Sequence, residues 1–325
     1  MVKPFKTYKQ QLQILQDRGL DVGNTSETIH FLEESNYYDV INGYKDPFIL
    51  KEDNGKSVVP ETYKPNTKLA ELYSLYKLDR ELRLLFLKYF LTFESNMRSR
   101  CAYRFAEKFK DKHLAYLDFA NYSNRPEKLN DVLNTISTLS SIISRYASKS
   151  TENSIKHYIK CHGEVPIWVL ADYFTLGNIS FFYSSLDDSL MNIIACDFND
   201  QWKQDYNSTI SLHSDDIEGI MQSINYFRNV CAHEEILYTM KIKRPRNHSF
   251  FTKFYSQTEP TYTLPIKFNL FTIYLMLKLV LRKQDFNELK SSLKKKFKTF
   301  EPSFSSVSLY DILQTSGFPK NWYEY

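Results

Sequence analysis

The sequence predicts an all-α protein, and three observations carry that expectation. Only eight of the 325 residues are glycine, too few for a Gly-rich nucleotide-binding α/β fold or a turn-dense β sandwich. Residues 67–111 contain neither Pro nor Gly and keep one apolar stripe of Leu72, Leu75, Leu82, Leu85, Phe86 and Tyr89 at helical spacing. No run of stretches alternates apolar and polar residues as half-buried strands would. The expected architecture is a bundle built on long helices.

The elements follow in order. "TYKQQLQILQDRGLDV" sets Leu12, Leu15 and Leu20 near helical spacing, with Gly19 placed to end the helix. A second short helix is expected at the "NTSET" cap, residues 24–28. "NYYDVINGYKDPF" is aromatic and turn-like around Gly43 and Pro47. The polar stretch at 51–67 is the best candidate boundary. It separates an expected N-terminal helical extension, 1–60, from a helical core, 61–325. The long helix begins at Leu69. A later one opens with Pro126 in its first turn. Gly163 and Pro166 break one helix and permit the next, and Trp168 is expected to pack in the core. The helix from 214 takes Ser214 as cap, with Asp215 and Asp216 where the dipole favours them. "LPIKFNLFTIYLMLKLVLRKQ" and "SLYDILQT" complete the helices.

Hydrophobic residues make up 42% and charged residues 25%, an ordinary globular balance. The net charge of +4 does not announce a nucleic-acid binder. Its distribution is uneven, however. Lys241, Lys243, Arg244 and Arg246 form one basic stretch, and the lysines between 281 and 298 form another. Either can track a phosphate backbone, or simply be a solvated face. The four cysteines, Cys101, Cys161, Cys196 and Cys231, are far apart, which implies a reducing compartment without a disulfide framework or structural zinc. His157 and His162 near Cys161 make a poor ligand set. No phosphate-binding glycine loop or Ser-His-Asp pattern occurs, so neither a metal nor a cofactor is expected. The most apolar stretch, 268–281, is too short for a bilayer and contains Lys278. The expected location is cytoplasmic, with no membrane partner.

"NYFRNVCAHEEILY", residues 225–238, sets Arg228, Asn229 and His233 among Phe227, Val230, Cys231 and Ala232. A half-buried arginine needs an anion, which can be a protein carboxylate or a phosphate. A histidine exchanges protons near neutral pH. Together they suit RNA cleavage without metal. His233 would deprotonate a ribose 2′-hydroxyl or protonate the leaving 5′-oxygen, Arg228 would stabilise the phosphoryl oxygens, and Asn229 would orient either. A satisfied core histidine beside a salt-bridged arginine has the same spacing.

"FRNVCAH" resembles the Arg-x4-6-His motif of the HEPN superfamily, in the form of the Abi-like (AbiD/AbiF-type) abortive-infection proteins. The opening "KPFKTYKQQLQILQDRGL" resembles the same family, as do "NYYDVINGYKDPF" and "LYKLDRELRLLFLKYFLTFESNMRSR". So does "VPIWVLADYFTLGNISFFY", with Pro166, Ile167, Trp168 and Gly177. The ordered blocks cover about residues 4–238. The resemblance implies a HEPN-like helical bundle, a homodimer, a role in anti-phage defence and metal-independent endoribonuclease activity, with Arg228 and His233 from both copies in one cleft. The second expectation is a non-catalytic RNA-binding module that holds a small non-coding RNA in a phage-defence complex. The expected partner is RNA, not DNA. Glu94 and Arg98 share a helix face, as do Arg100 and Arg104. Glu94 is expected to pair with an arginine of the site. Arg98, Arg100 and Arg104 are expected to contact RNA, and so are Tyr238, Lys241, Lys243, Arg244 and Arg246. The acidic pair Glu234 and Glu235 would repel RNA if it faced the site.

Overall fold

One helix of 40 residues, α3 (Leu69–Lys108), is the axis of the computed structural model. The structure describes residues 5–34, 37–245, 249–252, 255, 265 and 267–325. Before α3 come α1 (Tyr8–Asp17) and α2 (Thr25–Glu34). After it come α4 (Leu129–Ala147), α5 (Ser154–His162), α6 (Ile167–Leu170), α7 (Leu176–Ser185), α8 (Asp188–Tyr206) and α9 (Ser214–Ala232). The chain closes with α10 (Leu270–Val280), α11 (Lys283–Phe300) and α12 (Leu309–Thr315). Among the described residues, extended pairing is limited to isolated bridges, so the fold class is all-α.

Local chemistry sets the helix ends. Thr7 N–H donates to Gln10 Oε1 at 3.0 Å, which satisfies a donor at the start of α1. Gly19, at φ 85°, ends α1 while Leu20 N–H returns to the Leu15 carbonyl. Asn24 Oδ1 accepts from Ser26 N–H, so α2 begins inside the expected cap stretch. The cap of α9 lies one residue earlier than the sequence suggests. His213 is the N-cap, because the Asp216 carboxylate accepts its backbone N–H at 2.8 Å.

Two apolar clusters share α3. Leu69, Leu72 and Leu75 pack with Leu12, Leu15, Leu32, Phe48, Tyr63 and Tyr238, and with Val307 and Ile312 near the C-terminus. From Leu78 onward, α3 belongs to the larger cluster with residues of α4–α12. The apolar division therefore falls inside α3. The polar stretch at 51–67 is folded onto the smaller cluster, with Tyr63 and Thr67 buried and Lys51 bridged to Ser57. Helix α10 is buried at every position except Lys278, as expected for an almost wholly apolar helix in a large core. No described helix is long and apolar enough to cross a membrane. Trp168 departs from its expected core position. In the short α6 it is Ile167, Val169 and Leu170 that face inward, while Trp168 is 57% exposed.

Candidate active site

Helix α9 packs against α3, α7, α8 and α10. Its buried stripe of Ile217, Ile220, Met221, Ile224 and Phe227 leads up to the motif. Arg228 is the first charged residue to interrupt that stripe, and its side chain is only 27% exposed. It faces Glu94 of α3, which is 7% exposed, with Arg228 Nε 3.9 Å from Glu94 Oε2. That separation is too long for a hydrogen bond. Among the described residues, Arg228 Nε, Glu94 Oε2 and Arg98 Nε are all buried without a hydrogen-bond partner. Arg228 Nη1 makes one long bond, 3.4 Å, to Asn229 Oδ1.

Burial pushes the Glu94 carboxyl above the usual carboxylate range, and Arg228, Arg98 and the Leu176 N–H pull it back. A carboxyl raised in this way holds its proton longer when folded. Its stabilising contribution is fully present below the ordinary glutamate range and is lost as pH rises through the folded value. Glutamine does not ionise. The stability of Glu94→Gln relative to wild type should therefore grow as pH rises from the ordinary glutamate range, read from urea midpoints. A difference that shrinks with pH would mean that the Arg228 pair outweighs burial.

His233 is the C-cap of α9, and its N–H donates to the Asn229 carbonyl at 2.9 Å. Five helical positions turn by about 140°, so His233 does not share the Glu94 side with Arg228. It is exposed and lines a groove of about 930 Å³ with Tyr38, Asp39, Asn42, Arg83, Glu234, Glu235 and Thr239. The helical turn around Gly43 and the turn after His233 meet closely here. A Cβ added to Gly43 would stand 2.8 Å from Ile236 Cδ1. The acidic pair faces this groove, and both residues are exposed.

The turn after His233 is held by residues that the motif does not contain. Asp79, fully buried on α3, accepts from Arg83 Nη1 at 2.7 Å and Tyr44 Oη at 2.8 Å. It also accepts from the N–H groups of Leu237 at 3.1 Å and Tyr238 at 2.8 Å. Arg83 Nη1 reaches the Glu235 carbonyl as well, at 3.3 Å. Burial pushes the Asp79 carboxyl upward, and these donors oppose it. A sequence signal existed, because Asp79 and Arg83 are two charges set in the apolar stripe between Leu75 and Phe86.

The turn itself is strained. Glu234 has φ 57°, at the position after the cap where Glu235 N–H returns to the Val230 carbonyl and glycine is usual. Glu234→Gly should stabilise the protein by about 0.5–1 kcal/mol in urea unfolding, the left-handed cost less the added chain entropy. A loss of stability would show that the Glu234 side chain holds the turn.

A family described as Abi-like protein matches residues 30–239. The chain belongs to this family. The Abi-like segment begins in α2 and ends at the turn that Asp79 holds, so it contains Glu94, Arg228 and His233. Abortive-infection defence is the role that membership indicates. No curated protein and no solved structure matches the chain.

The remaining expected contacts of this Abi-like protein are dispersed. Arg98 is near Glu94 and donates to the Asp172 carbonyl at 3.1 Å. Arg100 points instead to α8, where it lies 4.3 Å over the Phe198 ring and donates to Gln201. Arg104 forms two bonds to Asp197, at 3.0 and 2.6 Å, and one to Glu107 at 2.7 Å. Both are tied up within the fold, because α8 supplies their partners. Tyr238 is 2% exposed and stacked on Tyr44, which leaves no face for a base. Lys241, Lys243 and Arg244 are exposed, and Arg246 lies outside the described residues. A groove of about 770 Å³ between α3 and α11 gathers Lys77, Arg80, Lys295 and Lys296, with Lys296 paired to Glu81. Among the described residues no cluster of three His, Cys, Asp or Glu could hold a metal.

Proposed function

We propose that this Abi-like protein is a metal-independent HEPN-type endoribonuclease of abortive infection, acting as a homodimer. The observation that carries the reading is the Arg228 guanidinium. Its Nε is buried without an acceptor, beside a carboxylate it does not bond. Buried polar groups are normally satisfied, and a phosphate would satisfy this one bidentately, one oxygen accepting from Nε–H and a second from an Nη–H. Arg228 would neutralise the phosphoryl oxygens and Asn229 would help orient them. The ribose 2′-oxygen would form a bond to phosphorus as the P–O5′ bond breaks. One copy's His233 would take the 2′-hydroxyl proton, and the other copy's His233, protonated, would give one to O5′. The products would be a 2′,3′-cyclic phosphate and a 5′-hydroxyl.

A second reading, a non-catalytic module that holds a small non-coding RNA, draws support from electrostatics. Asp39, Glu234 and Glu235 line the groove with His233, whereas a basic groove lies between α3 and α11. RNA held at the basic groove would avoid the acidic one. One experiment separates the two. Wild type and His233→Ala are purified, co-purifying RNA is sequenced, and both are incubated with total RNA in chelator. Cleavage by wild type alone, with cyclic-phosphate ends, supports the nuclease. One defined, uncut RNA on both proteins, without cleavage, supports the module.

A further inference from the structure

Trp168 stands alone among the tryptophans. Trp202 and Trp322 are 9% and 6% exposed, whereas Trp168 is 57% exposed. Helix α6 explains its direction, because Ile167 and Leu170 occupy the core. Exposure of so large an indole is unusual unless something covers it. It lines a groove of about 610 Å³ between α3 and α6. Tyr103, 61% exposed, stands on the α3 wall, with its hydroxyl directed to Glu107 at 3.4 Å. The buried residues of the groove are Ala102 and Ala171, whose small side chains leave room for a flat ring.

The polar groups of the groove are selective. Its lining contains one cation, Arg98, whose Nε is buried without a hydrogen-bond partner. Arg98 Nη1 donates to the Asp172 carbonyl, and the Asp172 side chain is exposed and lines the groove too. Glu107 lines the groove as well, so one cation, two carboxylates that accept and two exposed rings face a ligand, a set that suits an aromatic heterocycle that bears amino protons and a phosphate. An extended polyanion would need more positive charge. Arg98 also lies close enough to Glu94 to lower its carboxyl, so this groove borders the Arg228 pair.

We propose that the groove is a subsite for one unpaired nucleobase, stacked on Trp168 and Tyr103, with its phosphate toward Arg98. This rests on the reading that the protein engages RNA, and it adds where a base flanking the Arg228 phosphate sits. The bases of a single strand have exposed faces, so stacking there is tolerant of sequence.

The test uses the full chain and a fluorescein-labelled 2′-O-methyl RNA dodecamer, which lacks the 2′-hydroxyl nucleophile and stays intact. Trp168→Ala should weaken binding about tenfold and Tyr103→Ala by a smaller factor, while Trp168→Phe, which keeps a stacking face, should stay within about threefold of wild type. Circular dichroism checks that the variants are folded. Adenosine monophosphate is the second probe. It should quench the wild-type tryptophan emission and leave that of Trp168→Phe unchanged. Monophosphate binding as tight as that of the dodecamer would identify a free nucleotide as the source of the base. Dodecamer binding unchanged in Trp168→Ala overturns the proposal, and a simultaneous change in sedimentation would mark the groove as a protein contact. Quenching that persists in Trp168→Phe overturns it too. A wild type that binds the dodecamer through Trp168 but cuts no RNA would remove the nuclease reading alone. Cleavage lost in His233→Ala with unaltered binding in Trp168→Ala would remove the base subsite alone.

Discussion

Asp79→Ala should lower the stability of the fold by about 3–5 kcal/mol, the cost of leaving a buried charge without its partner. The residue has no exposed surface, and it accepts from Arg83, Tyr44 and the N–H groups of Leu237 and Tyr238. Alanine removes an acceptor from all four donors and leaves Arg83, itself only 5% exposed, with its longer bonds to the Glu235 carbonyl and the Tyr44 hydroxyl. Asp79→Asn keeps the volume but exchanges one acceptor oxygen for an amide nitrogen, so its loss should be smaller. Urea unfolding followed by circular dichroism gives the magnitude. Hydrogen exchange gives the location, because the amides of Leu237 and Tyr238 should lose protection before those of α10. A loss below about 1 kcal/mol would fall in the range of an ordinary neutral hydrogen bond. That would mean that the turn after His233 is held by its apolar neighbours alone.

On the proposed nuclease mechanism, cleavage by His233→Ala should fall by about 10²–10⁴-fold, the usual contribution of a positioned acid or base. The histidine is exposed, so stability should change by no more than about 0.5 kcal/mol. The effect on rate is thereby separated from an effect on folding. Arg228→Ala should lose about 10²–10³-fold, the scale measured when one charge-stabilising donor is removed. The double variant should be little slower than the worse single one, because the proposed mechanism has both groups serve one transition state. Single-turnover cleavage of a labelled RNA in chelator measures all three. If His233→Ala cut within threefold of wild type, the histidine would not be the proton-transfer group. The acidic residues of its groove would then be the mark of a contact surface.

Apolar periodicity and end signals made the fold class, the long α3 and the α9 motif readable along the chain. A 40-residue run without Pro or Gly has few alternatives to a helix. Cap residues act within a few positions, and so does the strain at Glu234. The arginine-histidine spacing is equally local, which is why Arg228, Asn229 and His233 could be named from residues 225–238. What tertiary structure decided is how distant faces meet. Helix α8 claims Arg100 and Arg104, because Asp197 and Gln201 reach them across the bundle. Tyr238 turns inward because Asp79 and Tyr44 hold its backbone and ring. Trp168 stays outside because neighbours of similar apolarity fill the core first. Composition and spacing determined that this chain is helical and carries an Arg-His motif at the end of one helix. The direction of each charged or aromatic side chain depended on partners far away in sequence, since burial and ion pairing are set by proximity in space.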